Sequence, residues 1–406
     1  MMRSLFSGVS GLKGHQTRMD VIGNNIANVN TTGFKSSRTT FADTISQTIS
    51  GASTPGDNIG GTNPKQVGLG TGVSSIDLLF TNGSVQSTGK NTDLCLSGSG
   101  LFVVKQGSQV YYTRDGAFEF DAAGNYVLPG SGHFVQGWMA TDGELPESKT
   151  EANMKGIKIT SDASIPATAT TKATYSGNID ASKETGTAVT TIMTAYDTQG
   201  YDYKIPIVFT KTDTNKWELS STNSDVSFSS TELTFDENGK VSAGGATEIT
   251  ITISSGAKDP VKINTELEEL TQYKAESTVH VSESDGYAMG KLESVSIDSS
   301  GVVTGVYTNG VRRTEAQVAV AQFNNASGLT KSGNSFYQES NNSGKPNVGT
   351  ATALGCSITP SALEMSNVDI ANEFSDMIIT QRGFQSNSKV ITVGDEMLET
   401  LINMKR

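Results

Sequence analysis

The chain has 406 residues, which at roughly 100 to 200 residues per domain allows about two to four domains with full cores and excludes a disulfide-stapled miniature. Its 30 Lys and Arg against 42 Asp and Glu leave a net charge of −12, so phosphate backbones and anionic membrane surfaces repel the molecule as a whole, which argues against a nucleic-acid binder. Hydrophobic residues at 35%, with 43 Gly and only 9 Pro, point to many turns between short strands rather than to a disordered tract.

The N-terminal stretch MMRSLFSGVSGLKGHQ lacks the apolar core of a signal peptide, and nowhere do about 18 apolar residues run together, so neither a cleaved leader nor membrane insertion is expected. From Ser4 onward Leu5, Val9, Leu12, Gln16, Met19, Gly23 and Ile26 step by alternate fours and threes, the seam of a heptad helix that ends near Ala27. The segment NNIANVNTTGFKSS follows, and its Asn24, Asn25, Asn28 and Asn30 exceed what closing a helix requires.

Beyond it the pattern belongs to strands. Gly-Ser clusters at 68–72 and 97–100 read as strand-bordering turns rather than phosphate cradles. Residues 94–128 alternate apolar and polar side chains between Ser-Gly, Gln-Gly, Asp-Gly and Ala-Gly-Asn turns, which predicts an antiparallel meander. Further strands are written in VTTIMTAYDTQG, KIPIVFTK, KWELSS, ELTFDENGKV and EITITIS between Val189 and Ser254, and again between Leu292 and Phe323. Composition shifts near residue 150 and across 266–286, where domain boundaries are expected.

The C-terminal helix repeats the first one's step through Ile370, Phe374, Met377, Gln381, Phe384, Ser388, Ile391, Asp395, Leu398 and Ile402, with Ser366 and Asp369 read as a capping box at its start. Charge relates the two ends. Arg3, Lys13, Arg18, Lys35 and Arg38 face one acid, Asp20, within the first forty residues. Arg382, Lys389, Lys405 and Arg406 are outnumbered by Glu364, Asp369, Glu373, Asp376, Asp395, Glu396 and Glu399 at the other end. The opposite signs favour pairing of the ends, within one subunit or between two.

Chemistry is sparse. His15, His133 and His280 with Cys95 and Cys356 match no zinc, CxxC or HExxH spacing, and no GxSxG, Walker or EF-hand loop occurs, so no catalytic, cofactor-binding or metal site is expected and the chain does not read as an enzyme. The two cysteines are expected to be buried free thiols.

The residues Asn24, Asn25, Ala27, Asn28, Thr31, Gly33, Phe34 and Lys35 spell NNxANxxTxGFK, and this resembles the signature that closes the N-terminal helix of the bacterial flagellar axial proteins, the rod and hook subunits. The segment from Ser366 to the end is similar to the C-terminal helix of the same family. GLGTGVSSIDLLFTNGSVQSTGKNTDLCLSGSGLFVV, YTRDGAF and the returning stretch from Asp285 to Tyr337 resemble its middle domain. Length and the inserted AYDTQG region resemble hook rather than rod subunits; a secreted β-rich adhesin would share the composition but not the paired heptads.

The resemblance implies a mixed fold. Coiled-coil-like terminal helices form an inner layer from residues 1–70 and 358–406, and two mainly antiparallel β domains nest between them: a middle one from 71–148 and 280–357, and an inserted outer one from 149–279. It further implies a structural homopolymer, a hollow flexible tube acting as universal joint between rod and filament and exported by the flagellar type III apparatus to the cell exterior. Its implied neighbours are the distal rod, the hook cap and the hook–filament junction. On this reading Leu5, Val9, Leu12, Met19, Ile26, Ile370, Phe374, Met377, Phe384, Ile391, Leu398 and Ile402 supply the polymerisation seam. An exposed apolar seam is costly, so the ends are expected to order on assembly.

Overall fold

The computed structural model describes residues 2–55, 60–160, 162–223, 226–229, 231–251 and 261–404. Lys405 and Arg406 of the charge count, and the end of the strand read as far as Ser254, lie outside the described residues. The chain divides into two units, the first made of Met1–Thr160, Val295–Thr304 and Thr314–Arg406, the second of Ser161–Ser294 and Gly305–Arg313.

In the first unit the chain's only long helices among the described residues stand at its two ends: α1, Met2–Ala27, and α2, Ile370–Asn403. At 1.5 Å per residue they extend about 39 and 51 Å. Neither is apolar enough to cross a membrane. The start of α2 differs from the sequence reading. Asp369, not Ser366, is its N-cap, and the Asp369 carboxylate accepts from the amides of Ala371 at 2.9 Å and Asn372 at 3.3 Å. Ser366 turns its hydroxyl to the amide of Val368 instead. A carboxylate satisfies two orphan amides and meets the positive end of the helix dipole, so it prevails over a hydroxyl three residues earlier.

After α1 the chain leaves in a two-stranded ribbon, Ser37–Asp43 against Thr71–Leu78, continued by Ser46–Ser50 against Lys65–Gly68. The β body is an antiparallel array in which Leu101–Gln106 lies between His133–Met139 and Gln109–Thr113, with Phe336–Gln338 and Thr330–Gly333 beyond. Leu101, Val103, Tyr112, Trp138, Ala319, Phe323 and Tyr337 form its core on one face. Phe102 and Phe118 pack edge-on across the other, their ring centroids 5.2 Å apart.

The meander expected over 94–128 resolves into two separate hairpins, Leu101–Gln106 with Gln109–Thr113 and Glu119–Phe120 with Tyr126–Leu128. Leu94–Ser97 pairs instead with Ser357–Pro360, and Gln109–Thr113 with Phe336–Gln338. Both faces of these strands are buried, so alternation alone did not determine their neighbours, and the returning half of the chain supplies the partners.

The second unit is a sandwich of two five-stranded sheets among the described residues. One runs in the order Val226–Phe228, Ala246–Ile251, Val261–Tyr273, Lys172–Asp180, His280–Ser284. The other runs Ala188–Tyr196, Asp202–Asp213, Lys216–Ser221, Glu232–Phe235, Val241–Ala243. Tyr175, Phe209, Trp217, Leu233, Ile263 and Leu270 meet in the single core between them. Pairing is antiparallel except between Lys172–Asp180 and Val261–Tyr273. Alternate burial along Asp202–Asp213 shows why these residues form a strand with one dry face.

One turn recurs in both units. In Asp121, Asp197, Asp236 and Asp298 the carboxylate accepts from the amides two and four residues on, at 2.7 to 2.9 Å, as in Asp236 with Asn238 and Lys240. The glycine three residues after each Asp has a positive φ, 74° at Gly239 and 88° at Gly200. A side-chain acceptor and a residue without Cβ are what this reversal requires.

Candidate assembly surface

The two terminal helices lie antiparallel, from Leu5 beside Gly394 to Asn25 beside Glu373. Their meeting line is narrow and built mostly of small or polar residues, with Leu5 and Ile391 beside the glycines near one end. A β-carbon at Gly11 would stand 2.7 Å from Asn387 Nδ2, one at Gly383 2.6 Å from His15 Cε1, and one at Gly394 2.7 Å from Leu5 Cδ2. Thr380 is fully buried and turns its hydroxyl back to the carbonyl of Asp376. Arg18 pairs with Asp376 at 3.0 Å, and the Asn25 amide donates to Glu373 Oε1 at 2.9 Å. Burial pushes the Glu373 carboxyl above the usual carboxylate range, against the Asn25 hydrogen bond that favours its ionised form.

This line sits one residue before the apolar line in each helix. Of the residues read as a seam, Leu5 and Ile391 approach the facing helix, while Leu12, Met19, Ile26, Met377 and Leu398 are half-buried beside it. Val9, Ile370, Phe374, Phe384 and Ile402 are exposed, Phe374 by 50% and Ile402 by 68%. A second exposed stripe on α2 passes through Val393, Met397, Leu401 and Met404. Glycines close the helices together and leave their large side chains on the outside, which a heptad count that ranks residues by hydrophobicity does not register.

The asparagine-rich motif joins this pair to the β body. Asn25 is buried; its Nδ2 donates to the Ser37 carbonyl at 2.9 Å and its Oδ1 accepts from the Ser37 amide at 3.0 Å, clamping the chain as it leaves α1. Asn28 donates to the carbonyl of Asn24 at 2.9 Å and accepts from the Thr31 hydroxyl at 3.1 Å, closing the helix end. Ala27 is exposed there, and Asn24, Asn28, Thr31 and Phe34 line a cavity of about 620 Å³. Gly33 has φ +64°, and a β-carbon on it would stand 2.4 Å from the Asp115 amide nitrogen. Phe34 is buried beneath Lys331, whose Nζ lies 4.7 Å from the ring centroid.

Lys35 ends the motif in a fully buried ion cluster. Its Nζ donates to Glu364 Oε1 and to the Thr81 carbonyl, both at 2.7 Å. Glu364 also accepts from the Gly83 amide at 2.8 Å and from Arg114 Nη1 at 3.1 Å, and its carbonyl accepts from the Gly33 amide at 2.8 Å. Arg114 is held independently by the Leu96 carbonyl at 2.8 Å and by the Gly98 carbonyl. Burial, and then the neighbouring Arg114, draw the Lys35 ammonium below the usual lysine range. Removing one member of such a cluster costs about 3–5 kcal/mol, because the others stay buried without their partner. Asn367 adds a neutral link, accepting from the Ser36 amide and donating to the Leu79 carbonyl, each at 2.8 Å. Arg114 and Asn367 lie in stretches that carry the family resemblance, but nothing local ties them or Glu364 to Lys35, and only the fold brings them together.

Cys95 and Cys356 are both free and buried. Burial pushes the Cys95 thiol above the usual range, which makes it an unreactive core residue.

Family models match along this architecture. The flagella basal body rod protein model covers residues 5–35, and the flagellar basal body rod FlgEFG protein C-terminal model covers 359–404, the two segments joined by the Lys35–Glu364 pair. The flagellar hook protein FlgE/F/G D1 domain covers 95–179, and the flagellar basal body protein FlaE D2 domain covers 160–287. The flagellar hook protein FlgE of Treponema pallidum is 39% identical over 469 residues, with all of both chains covered. The chain belongs to the flagellar hook protein family. Another hook relative, FlgE of Borreliella burgdorferi, is 40% identical over 442 residues, again across both whole chains. The crystal structure of Helicobacter pylori flagellar hook protein FlgE2 matches with a TM-score of 0.50 over 69% of this chain and all of that one; at 14% identity the likeness is one of fold.

Proposed function

We propose that the chain is a structural subunit of the bacterial flagellar hook, polymerising through its two ends into a hollow, flexible tube that passes torque from rod to filament, with no reaction of its own. The observation that carries this reading is the exposed apolar side chains on α1 and α2, which the contact between the two helices, mostly glycine, threonine and amide groups with Leu5 and Ile391, leaves uncovered. Each such side chain contributes roughly 1.5–3 kcal/mol when fully buried, and neighbouring copies are what would bury them. Residues 1–70 and 358–406 then form the inner layer, 71–148 and 280–357 the middle domain and 149–279 the outer one. Distal rod, hook cap and hook–filament junction are the neighbours at the tube's ends. The subunit reaches the cell exterior through the type III export apparatus without a cleaved signal, and its ends order as it assembles. Electron microscopy of the purified protein after salt-induced assembly tests the reading: tubes with a central channel are expected, and a protein that stays monomeric under all such conditions overturns it.

A further inference from the structure

The buried ion cluster joins groups from three parts of the chain, two cations and one carboxylate. Arg114 belongs to the β body, where the carbonyls of Leu96 and Gly98 accept from its guanidinium; the strand that carries Leu96 pairs with Ser357–Pro360 of the C-terminal segment. Glu364 arrives with the C-terminal segment, whose strand Ala362–Glu364 pairs with Val85–Ser87. Lys35 arrives with the N-terminal motif. Glu364 with Arg114 is a neutral buried pair, and the Gly83 amide fills a further site on the carboxylate. Lys35 with Arg114 but without Glu364 is two buried cations, left with main-chain carbonyls as their acceptors. Desolvating like charges together is far more costly than desolvating an opposite pair. The backbone follows the same dependence, since the amide of Gly33 donates to the carbonyl of Glu364 and the amide of Ser36 to Asn367 Oδ1. The C-terminal segment meets the body through the amide of Met365 on the Ser84 carbonyl and that of Ser361 on the Asp93 carbonyl, without any group of the N-terminal motif. The motif has body contacts too, such as the Leu79 amide on the Ser36 carbonyl, but among the described residues its buried charge has no counterion except Glu364.

We propose that Glu364 is a docking gate: the C-terminal segment seats on the β body first, and only then does the N-terminal motif bury Phe34 and Lys35. The seam of the assembled subunit is therefore completed from the C-terminal side, and loss of the C-terminal segment releases the N-terminal helix with it, whereas loss of the N-terminal motif leaves the C-terminal segment in place.

Hydrogen exchange read by mass spectrometry, on the full-length chain both soluble and assembled, tests this through two peptides, 31–37 and 361–367, with 101–104 of the β core as internal reference. Lys35→Met is expected to speed exchange of 31–37 by at least about tenfold and to leave 361–367 within about threefold of the parent, because subglobal opening reports local stability. Glu364→Gln is expected to speed both. The double variant Lys35→Met with Glu364→Gln is expected to restore part of the protection of 31–37, since an apolar side chain no longer brings a second cation. Equal release of both peptides by Lys35→Met, retention of 31–37 protection in Glu364→Gln, or a double variant no better than Glu364→Gln would each overturn the proposal. So would absence of protection in both peptides of the parent in both states. Faster exchange at 101–104 in Glu364→Gln marks general unfolding; the comparison of Lys35→Met with the parent then decides.

Discussion

Replacing Gly383 by alanine separates two opposing effects that the structure allows to be weighed. In an exposed helix interior Gly→Ala is stabilising by about 0.5–1 kcal/mol, because glycine gives up more backbone freedom on folding. At Gly383, however, the new methyl would stand 2.6 Å from His15 Cε1 and 2.7 Å from its Nε2, well inside the roughly 3.5–4.0 Å at which carbon atoms pack. His15 is itself packed beside Phe41, ring centroids 6.1 Å apart, so the helices must separate or the imidazole must leave its place. Overpacking of this kind costs about 1–3 kcal/mol, which outweighs the propensity gain and leaves a net loss near 1 kcal/mol. Gly23 supplies the control, since nothing lies within 4 Å of a β-carbon there and Gly23→Ala should be stabilising by the full propensity term. The two variants should differ by roughly 2 kcal/mol in opposite directions, read as loss of helical circular dichroism on heating assembled tubes. A Gly383→Ala tube as heat-resistant as the Gly23→Ala tube would refute close approach at this meeting line.

Phe384→Asp, at a half-exposed position on the apolar side of α2, should leave both β units folded and abolish tube formation; normal tubes in electron micrographs would remove Phe384 from the seam. Replacing Gln381 and Ser388 together by Leu makes the seam more apolar, and the tubes should become straighter and more heat-resistant, with persistence length from micrographs as the measure. In acid the second unit should lose stability through its hydrogen-bonded carboxylates. Although burial opposes it, hydrogen bonds from Thr171 and Lys172 hold the Asp285 carboxyl below its ordinary 3.8, and the amide of Lys240 does the same for Asp236. A depressed carboxyl contributes its stabilisation above that value and loses it as pH falls below, so Asp285→Asn should melt at a lower temperature near neutral pH and show a flatter decline between about pH 4 and pH 2. An acid limb as steep as the parent's would count against this assignment.

The amino-acid sequence by itself determined whatever depends on neighbours a few residues apart. The two end helices were legible because a heptad step survives over Leu5–Ile26 and Ile370–Ile402. The motif from Asn24 to Lys35 was legible as a pattern, though not as a clamp and an ion pair. Tertiary structure alone decided which strand lies beside which, since strands buried on both faces carry no mark of their partners, and so Leu94–Ser97 found Ser357–Pro360 rather than its neighbour in the chain. It alone set the meeting line of the helices on glycine and amide residues. Periodicity shows that a helix has an apolar face but not whether that face meets the chain's own second helix or another molecule. It alone, finally, brought Glu364 to Lys35 across 329 residues, because a buried charge finds its counterion through the packing of the whole unit and leaves no local trace in the sequence.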